Sequence, residues 1–173
     1  ASLKHTDPVH KVSIVSRGRA GGHTRKLPAE DRHLFSRSYF LDEIAVAMGG
    51  YAAEKTVFNE ITTGPHSDLE HASDIARDLV TRFGMSEKLG PAVFGERQEL
   101  IFLGKEIGTE KNYSEEIARL IDREVRRFID TGLKRARDVI TKRRAKLEAI
   151  AHRLMEKETI EREEFEALMA ATA

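Results

Sequence analysis

Ile117, Leu120, Ile121, Val125, Phe128, Ile129, Leu133, Ala136, Val139 and Ile140 recur at intervals of three and four, and Leu147, Ile150 and Leu154 extend the series. That interval is the repeat of an α-helix, whereas a strand needs alternation at two. Ser114, followed by Glu115 and Glu116, supplies a helix start. The spacing predicts a long helical region from Ser114 to about Leu154, with Thr131-Gly132 as a place to kink or divide it. An apolar stripe of that length has to be buried by other elements.

Those elements are legible upstream. Leu69, Ala72, Ile75, Ala76, Leu79, Val80 and Phe83 predict a helix from about Ser67, with Gly84 as its stop. Phe40, Leu41, Ile44, Ala45 and Met48 predict another, capped by Ser36 or Ser38, with Asp42 and Glu43 in its first turns. Gly49-Gly50 interrupts it or admits a close neighbour, and a second helical piece, AAEKTVF, follows. Thr159 is expected to cap a short terminal helix bearing Phe165, Leu168 and Met169. Strand character is confined to the N-terminal region. Lys11 to Ser16 (KVSIVS) alternates, with Val12 and Ile14 on one face and Val15 on the other; a glycine-rich turn and a return strand follow. Residues 85–113 hold four glycines and a proline, and read as a long loop with a small hairpin. The expected fold class is mainly α, a helical bundle with a small N-terminal β-hairpin or edge-strand element.

Composition removes several functions. Lys+Arg and Asp+Glu both number 29, which excludes a globally basic nucleic-acid binder. The basic run Lys134, Arg135, Arg137, Lys142, Arg143, Arg144 and Lys146 has no interleaved aromatic residue and reads as a solvated helix face, so no nucleic-acid partner is expected. The absence of cysteine excludes disulfides, thiol catalysis and cysteine-ligated zinc. The most apolar stretch, Ile44 to Ala53, is ten residues long and contains two glycines, against the roughly 20 a membrane span needs. The N-terminus lacks both a signal-peptide plan and an initiator Met, so a processed chain with sequence upstream is expected. No phosphate-binding GxxxxGK[ST] loop, GxSxG elbow or HExxH occurs.

The most suggestive passage chemically is Thr62 to Ser73 (TTGPHSDLEHAS). It places Asp68 in the first turn of a helix, where free N–H groups and the helix dipole favour a carboxylate. Spacing leaves two readings open. Asp68 or Ser67 is a helix N-cap, or His66, Asp68 and His71 together make a small metal site. His10 and His23 fall on the expected strands and read as surface residues.

Several passages taken together carry a family resemblance. DPVHKVSIVSRGRAGG, RSYFLDEIAVAMGGYAAEKTVFNEITTG, SDLEHASDIARDLVTRFGMSEKLGP, FLGKEI, NYSEEIARLIDREV and EKETIEREEF occur in this order. They closely resemble the C-terminal peptidase (M41-type) domain of FtsH-type ATP-dependent zinc metalloproteases, over about residues 7 to 169. The resemblance implies a zinc site in which two ligands are the histidines of an upstream HExxH, whose Glu is the general base. The third ligand is an Asp at the start of the helix after TTG, a position matched by Asp68. Glu54, in GGYAAEK, matches an acidic position; a role beside the ligands, such as fixing a ligand histidine, and a helix-surface salt bridge are both open. Lys11, Val12, Ser13, Ile14 and Val15 resemble the family's edge strand beside the cleft, able to take an extended substrate by strand addition. Pro65-His66-Ser67 departs from the family's more usual Ala-x-Asn.

The expectation is therefore a single peptidase-type domain over 1–173 without its HExxH helix. It comprises a β/loop element at 1–35, helices carrying the ligand Asp at 36–84, a long loop at 85–113 and C-terminal helices at 114–171. The resemblance further implies a homo-hexameric parent that binds zinc, and ATP with Mg in an upstream module. Such a parent degrades unfolded membrane and cytosolic proteins. It is anchored in a bacterial inner membrane, or an organelle equivalent, through a segment N-terminal to this chain, with the peptidase on the cytoplasmic face. The isolated chain, lacking the general base, is expected to be inert. The rival reading is a non-enzymatic assembly module or a pseudo-peptidase ring partner.

Overall fold

Ser36 opens helix α1 (Arg37–Ala47), its hydroxyl accepting the Tyr39 N–H at 3.2 Å. The computed structural model describes residues 1–16, 22–27, 33–97, 109–110 and 112–171. After Met48 the chain resumes as α2 (Gly49–Ala53) and widens into a π-helical turn, Glu54–Phe58. Asn59, at φ 53°, ends that turn in the left-handed region, which asparagine tolerates better than most residues. Helix α3 (His66–Thr81) follows, and α4 (Glu115–Lys142) is capped by Ser114, whose hydroxyl accepts the Ile117 N–H.

Helices α1, α2 and α3 pack on α4. Ile44, Ala72, Ala76, Leu79, Val80, Ile121 and Phe128 are almost fully buried between them. The small residues are what let the backbones approach. At Gly132 a Cβ would lie 2.5 Å from Ile44 Cγ2, so α1 crosses α4 at the one position without a side chain. Thr131-Gly132 thus neither ends nor divides α4. The break falls instead at Arg143 (φ −117°, ψ 29°), after which α5 (Arg144–Lys157) begins.

Buried acids tie the layers together. Asp42 of α1 is fully buried; it pairs with Arg135 of α4 and accepts from the His5 backbone N–H at 3.0 Å. Glu43 receives Lys26 at 2.6 and 2.8 Å. Glu124, also fully buried, accepts from Ser86 at 2.8 Å and from Arg127 at 2.8 and 2.9 Å. The Arg127 guanidinium is the main reason its carboxyl stays below the usual carboxylate range; burial opposes it, and Ser86 and Lys88 help. Two members of the basic run are engaged in ion pairs, Arg135 with the buried Asp42 and Arg144 with the exposed Glu148 one turn on in α5.

Strands β1 (Val9–Ser13) and β2 (His23–Lys26) form the expected antiparallel pair, with an irregularity between Val9 and Lys11. The two-residue strands β3 (Glu96–Arg97) and β4 (Thr109–Glu110) pair with each other, while residues 98–108, including the FLGKEI passage, lie outside the described residues. Thr159 does not cap a helix. It opens strand β5 (Thr159–Glu161), and the last helix, α6, runs Arg162–Ala170. β5 pairs with the other side of β1, giving the order β2-β1-β5. Leu154, Ile160 and Phe165 form a second core here with Val9 and Val12.

That order corrects the assignment of an edge to Lys11, Val12, Ser13, Ile14 and Val15. β1 is the central strand, and Lys11, Val12 and Ser13 are paired on both sides. Ile14 and Val15 lie beyond it, with Ile14 N–H donating to the Glu158 carbonyl and Val15 N–H to Ser13 Oγ. The edges belong to β2 and β5. No helix among the described residues is long and apolar enough to cross a membrane.

Candidate metal centre

Asp68 stands in the first turn of α3. Pro65 occupies the N-cap and no side chain caps the helix, so neither Asp68 nor Ser67 serves that purpose. The side chain is exposed, and no hydrogen bond or ion pair engages its carboxylate among the described residues. On its inner side is Gly50 of α2, where a Cβ would lie 3.8 Å from Asp68 Oδ2. A carboxylate with vacant lone pairs, set among free helix N–H groups, is a ready oxygen donor to a cation.

The neighbouring histidines do not complete a site. His66 faces Glu70, with Nε2 to Oε1 at 3.5 Å, and both are well exposed. No group of three His, Asp or Glu side chains is gathered as a metal would require among the described residues. The residues present therefore fit zinc as one donor of a set, not as the whole set.

Glu54 is placed by the π-helical turn so that it faces the chain leading into α3. Its Oε2 accepts the Thr62 N–H at 2.8 Å and its Oε1 accepts the Thr62 hydroxyl at 2.7 Å. Thr62 Oγ1 accepts in turn the Gly64 N–H at 3.0 Å. Among the described residues the Glu54 carboxylate is engaged by Thr62 through both oxygens and makes no salt bridge. Thr62 was visible only as part of a turn, since a threonine in a turn carries no mark of which acid will reach it. His10 and His23 are half-buried on β1 and β2.

An apolar groove of about 240 Å³ is lined by Ala1, Leu3, Val46, Gly49, Ile140 and Leu147 among others, and Asp68 is not part of its lining.

Comparison with known proteins decides the family. The model of peptidase family M41 matches residues 1–168. This chain belongs to peptidase family M41. Among relatives, the M41 chain is 54% identical over 166 residues to a protein of Sphaerobacter thermophilus named ATP-dependent zinc metalloprotease FtsH 1. A protein of the same name from Thermomicrobium roseum is 51% identical, and an ATP-dependent zinc metalloprotease FtsH from Pseudothermotoga lettingae is 46% identical. In each case 96% of the chain is covered. It spans only 25% to 27% of those relatives' lengths.

Proposed function

We propose that the chain is the peptidase portion of an ATP-dependent zinc metalloprotease, folded as one peptidase-type domain, and that Asp68 is one of its zinc ligands. The observation that carries this reading is the exposed Asp68 carboxylate, without a partner among the described residues, in the first turn of α3 of an M41 chain. Catalytic zinc in proteases takes three protein ligands and leaves one position open, so one carboxylate is a partial set. The remaining donors, and the general base, are the HExxH side chains of a segment that precedes this one in the whole protein. Bound zinc supplies the Lewis acidity that peptide hydrolysis requires. What this chain contributes is the third ligand and the scaffold that aims it. Glu54 belongs to that scaffold as a positioning residue, acting on the turn before α3 rather than on the metal.

Substrate backbone in extended form would add to an open sheet edge, which the strand order assigns to β2 or β5 rather than β1. Unfolded membrane and cytosolic proteins are the proposed substrates. The proposed parent is a membrane-anchored homo-hexamer with the peptidase on the cytoplasmic side and ATP with Mg in a separate module. In the complete protease, Asp68→Asn is expected to lose stoichiometric zinc and casein hydrolysis together. The 173-residue chain alone is expected to cleave nothing when zinc is added. An Asp68→Asn protease with one zinc per chain and wild-type turnover would refute the assignment.

A further inference from the structure

Thr62 has no assigned role, yet it is the hub of the only hydrogen-bonded network in the turn that delivers Asp68 among the described residues. We infer that Thr62 is a positioning residue whose hydroxyl, held by Glu54 and holding the Gly64 amide, sets the first turn of α3 and so aims Asp68. The inference rests on the reading of Asp68 as a zinc ligand.

Three observations make the hydroxyl decisive. First, packing does not fix this turn. Residues 59–64 are all exposed, and Pro65 is the first buried residue after the π-helical turn. Second, no side chain caps the start of α3: Pro65 at the N-cap is buried and Leu69 packs on the core, but the exposed residues between them, Asp68 included, have no packing to hold them. A helix end without a cap frays, because its first N–H groups lack partners. Third, the network has one member that both gives and receives. Thr62 donates its N–H and its hydroxyl to the two oxygens of Glu54, and the same hydroxyl oxygen accepts from Gly64 N–H. Among uncharged side chains of this size only serine and threonine can donate and accept through one atom so close to the backbone. The fit is tight: a Cβ at Gly64 would come within 3.2 Å of Thr62 Oγ1 and 3.4 Å of Glu54 Oε1. Two residues further on, His66 N–H bonds to the Thr63 carbonyl at 3.2 Å, so the hub leads directly into the helix start.

The arrangement separates shape from hydrogen bonding. Thr62→Val keeps the branched shape and loses the hydroxyl; Thr62→Ser keeps the hydroxyl and loses a methyl. The test is zinc affinity of the complete protease, measured by competition with a chelator, alongside hydrogen exchange at the Gly64 amide. Thr62→Val is expected to weaken zinc binding about tenfold, the low end for residues that support metal ligands, and to speed Gly64 exchange. Thr62→Ser is expected to match wild type in both. A Thr62→Val protein that binds zinc as tightly as wild type, while Asp68→Asn does not bind it, overturns the inference and leaves Asp68 as ligand. Equal loss in Thr62→Ser and Thr62→Val also overturns it, because the hydroxyl would then not be the cause. Zinc retained by Asp68→Asn would remove the ligand itself, and this inference with it.

Discussion

Glu124→Gln is the substitution whose cost can be worked most directly from the structure. Glu124 is fully buried on α4 and is joined to Ser86 at 2.8 Å, to Arg127 through two bonds of 2.8 and 2.9 Å, and to Lys88 at 3.6 Å. Ser86 belongs to the segment that leaves α3, so the carboxylate joins the helix carrying Asp68 to α4. Glutamine preserves the volume and one acceptor oxygen but removes the charge. Hydrogen bonds to charged groups contribute about 1.5–3 kcal/mol each. The Arg127 and Lys88 side chains are 40% and 62% exposed, so water recovers much of what they lose. Ser86, at 2% exposure, has no such recourse. The expected destabilisation at pH 7 is about 2 kcal/mol, or a fall of roughly 4–8 °C in Tm for a domain of this size. The pH dependence identifies the cause. Arg127 lowers the folded-state pKa of Glu124, so its stabilisation is complete above the unfolded value of about 4.3 and is lost as pH falls through the folded value. Urea unfolding followed by circular dichroism, at pH 7 and at steps down to pH 3, should show the gap between wild type and Glu124→Gln closing on acidification. A gap that stays constant from pH 7 to pH 3 would refute the electrostatic account and leave a packing defect in its place.

Two further substitutions test the packing. Gly132→Ala gains about 1 kcal/mol of helix propensity, but its methyl would meet Ile44 Cγ2 at 2.5 Å. Ile44 is completely buried and has nowhere to move, so overpacking of about 1–3 kcal/mol should win and the denaturant midpoint should fall. Glu158 ends α5 at φ 60°, a left-handed position in which a Cβ is strained. Glu158→Gly should therefore raise stability by about 0.5–1 kcal/mol, read as a higher thermal midpoint with β5 pairing intact.

Helix content was legible because it is written locally. Apolar spacing of three and four located α1, α3 and α4, and Ser36 and Ser114 cap where a serine before such a series should. Local signals also misled where a neighbour decides. Gly132 has the composition of a break, but a crossing helix needs its missing side chain. Asp42 and Glu43 look like a solvated first turn, but Arg135 and Lys26 arrive from distant positions to bury them. Residue type and position put Asp68 in the first turn of α3, whereas the partner of Glu54 did not follow from either.

From the sequence alone came the helices and the N-terminal strand pair, since each depends on neighbours within a few positions, while the resemblance singled out Asp68. Tertiary structure decided that β1 is an inner strand, that Glu54 grips Thr62, and that Asp68 is left without a partner among the described residues. The physical reason is range. Periodicity and capping act over one or two turns of chain, while the third strand reaches β1 from residues 159–161, pairing Ser13 with Thr159, and no local preference of either segment specifies that meeting.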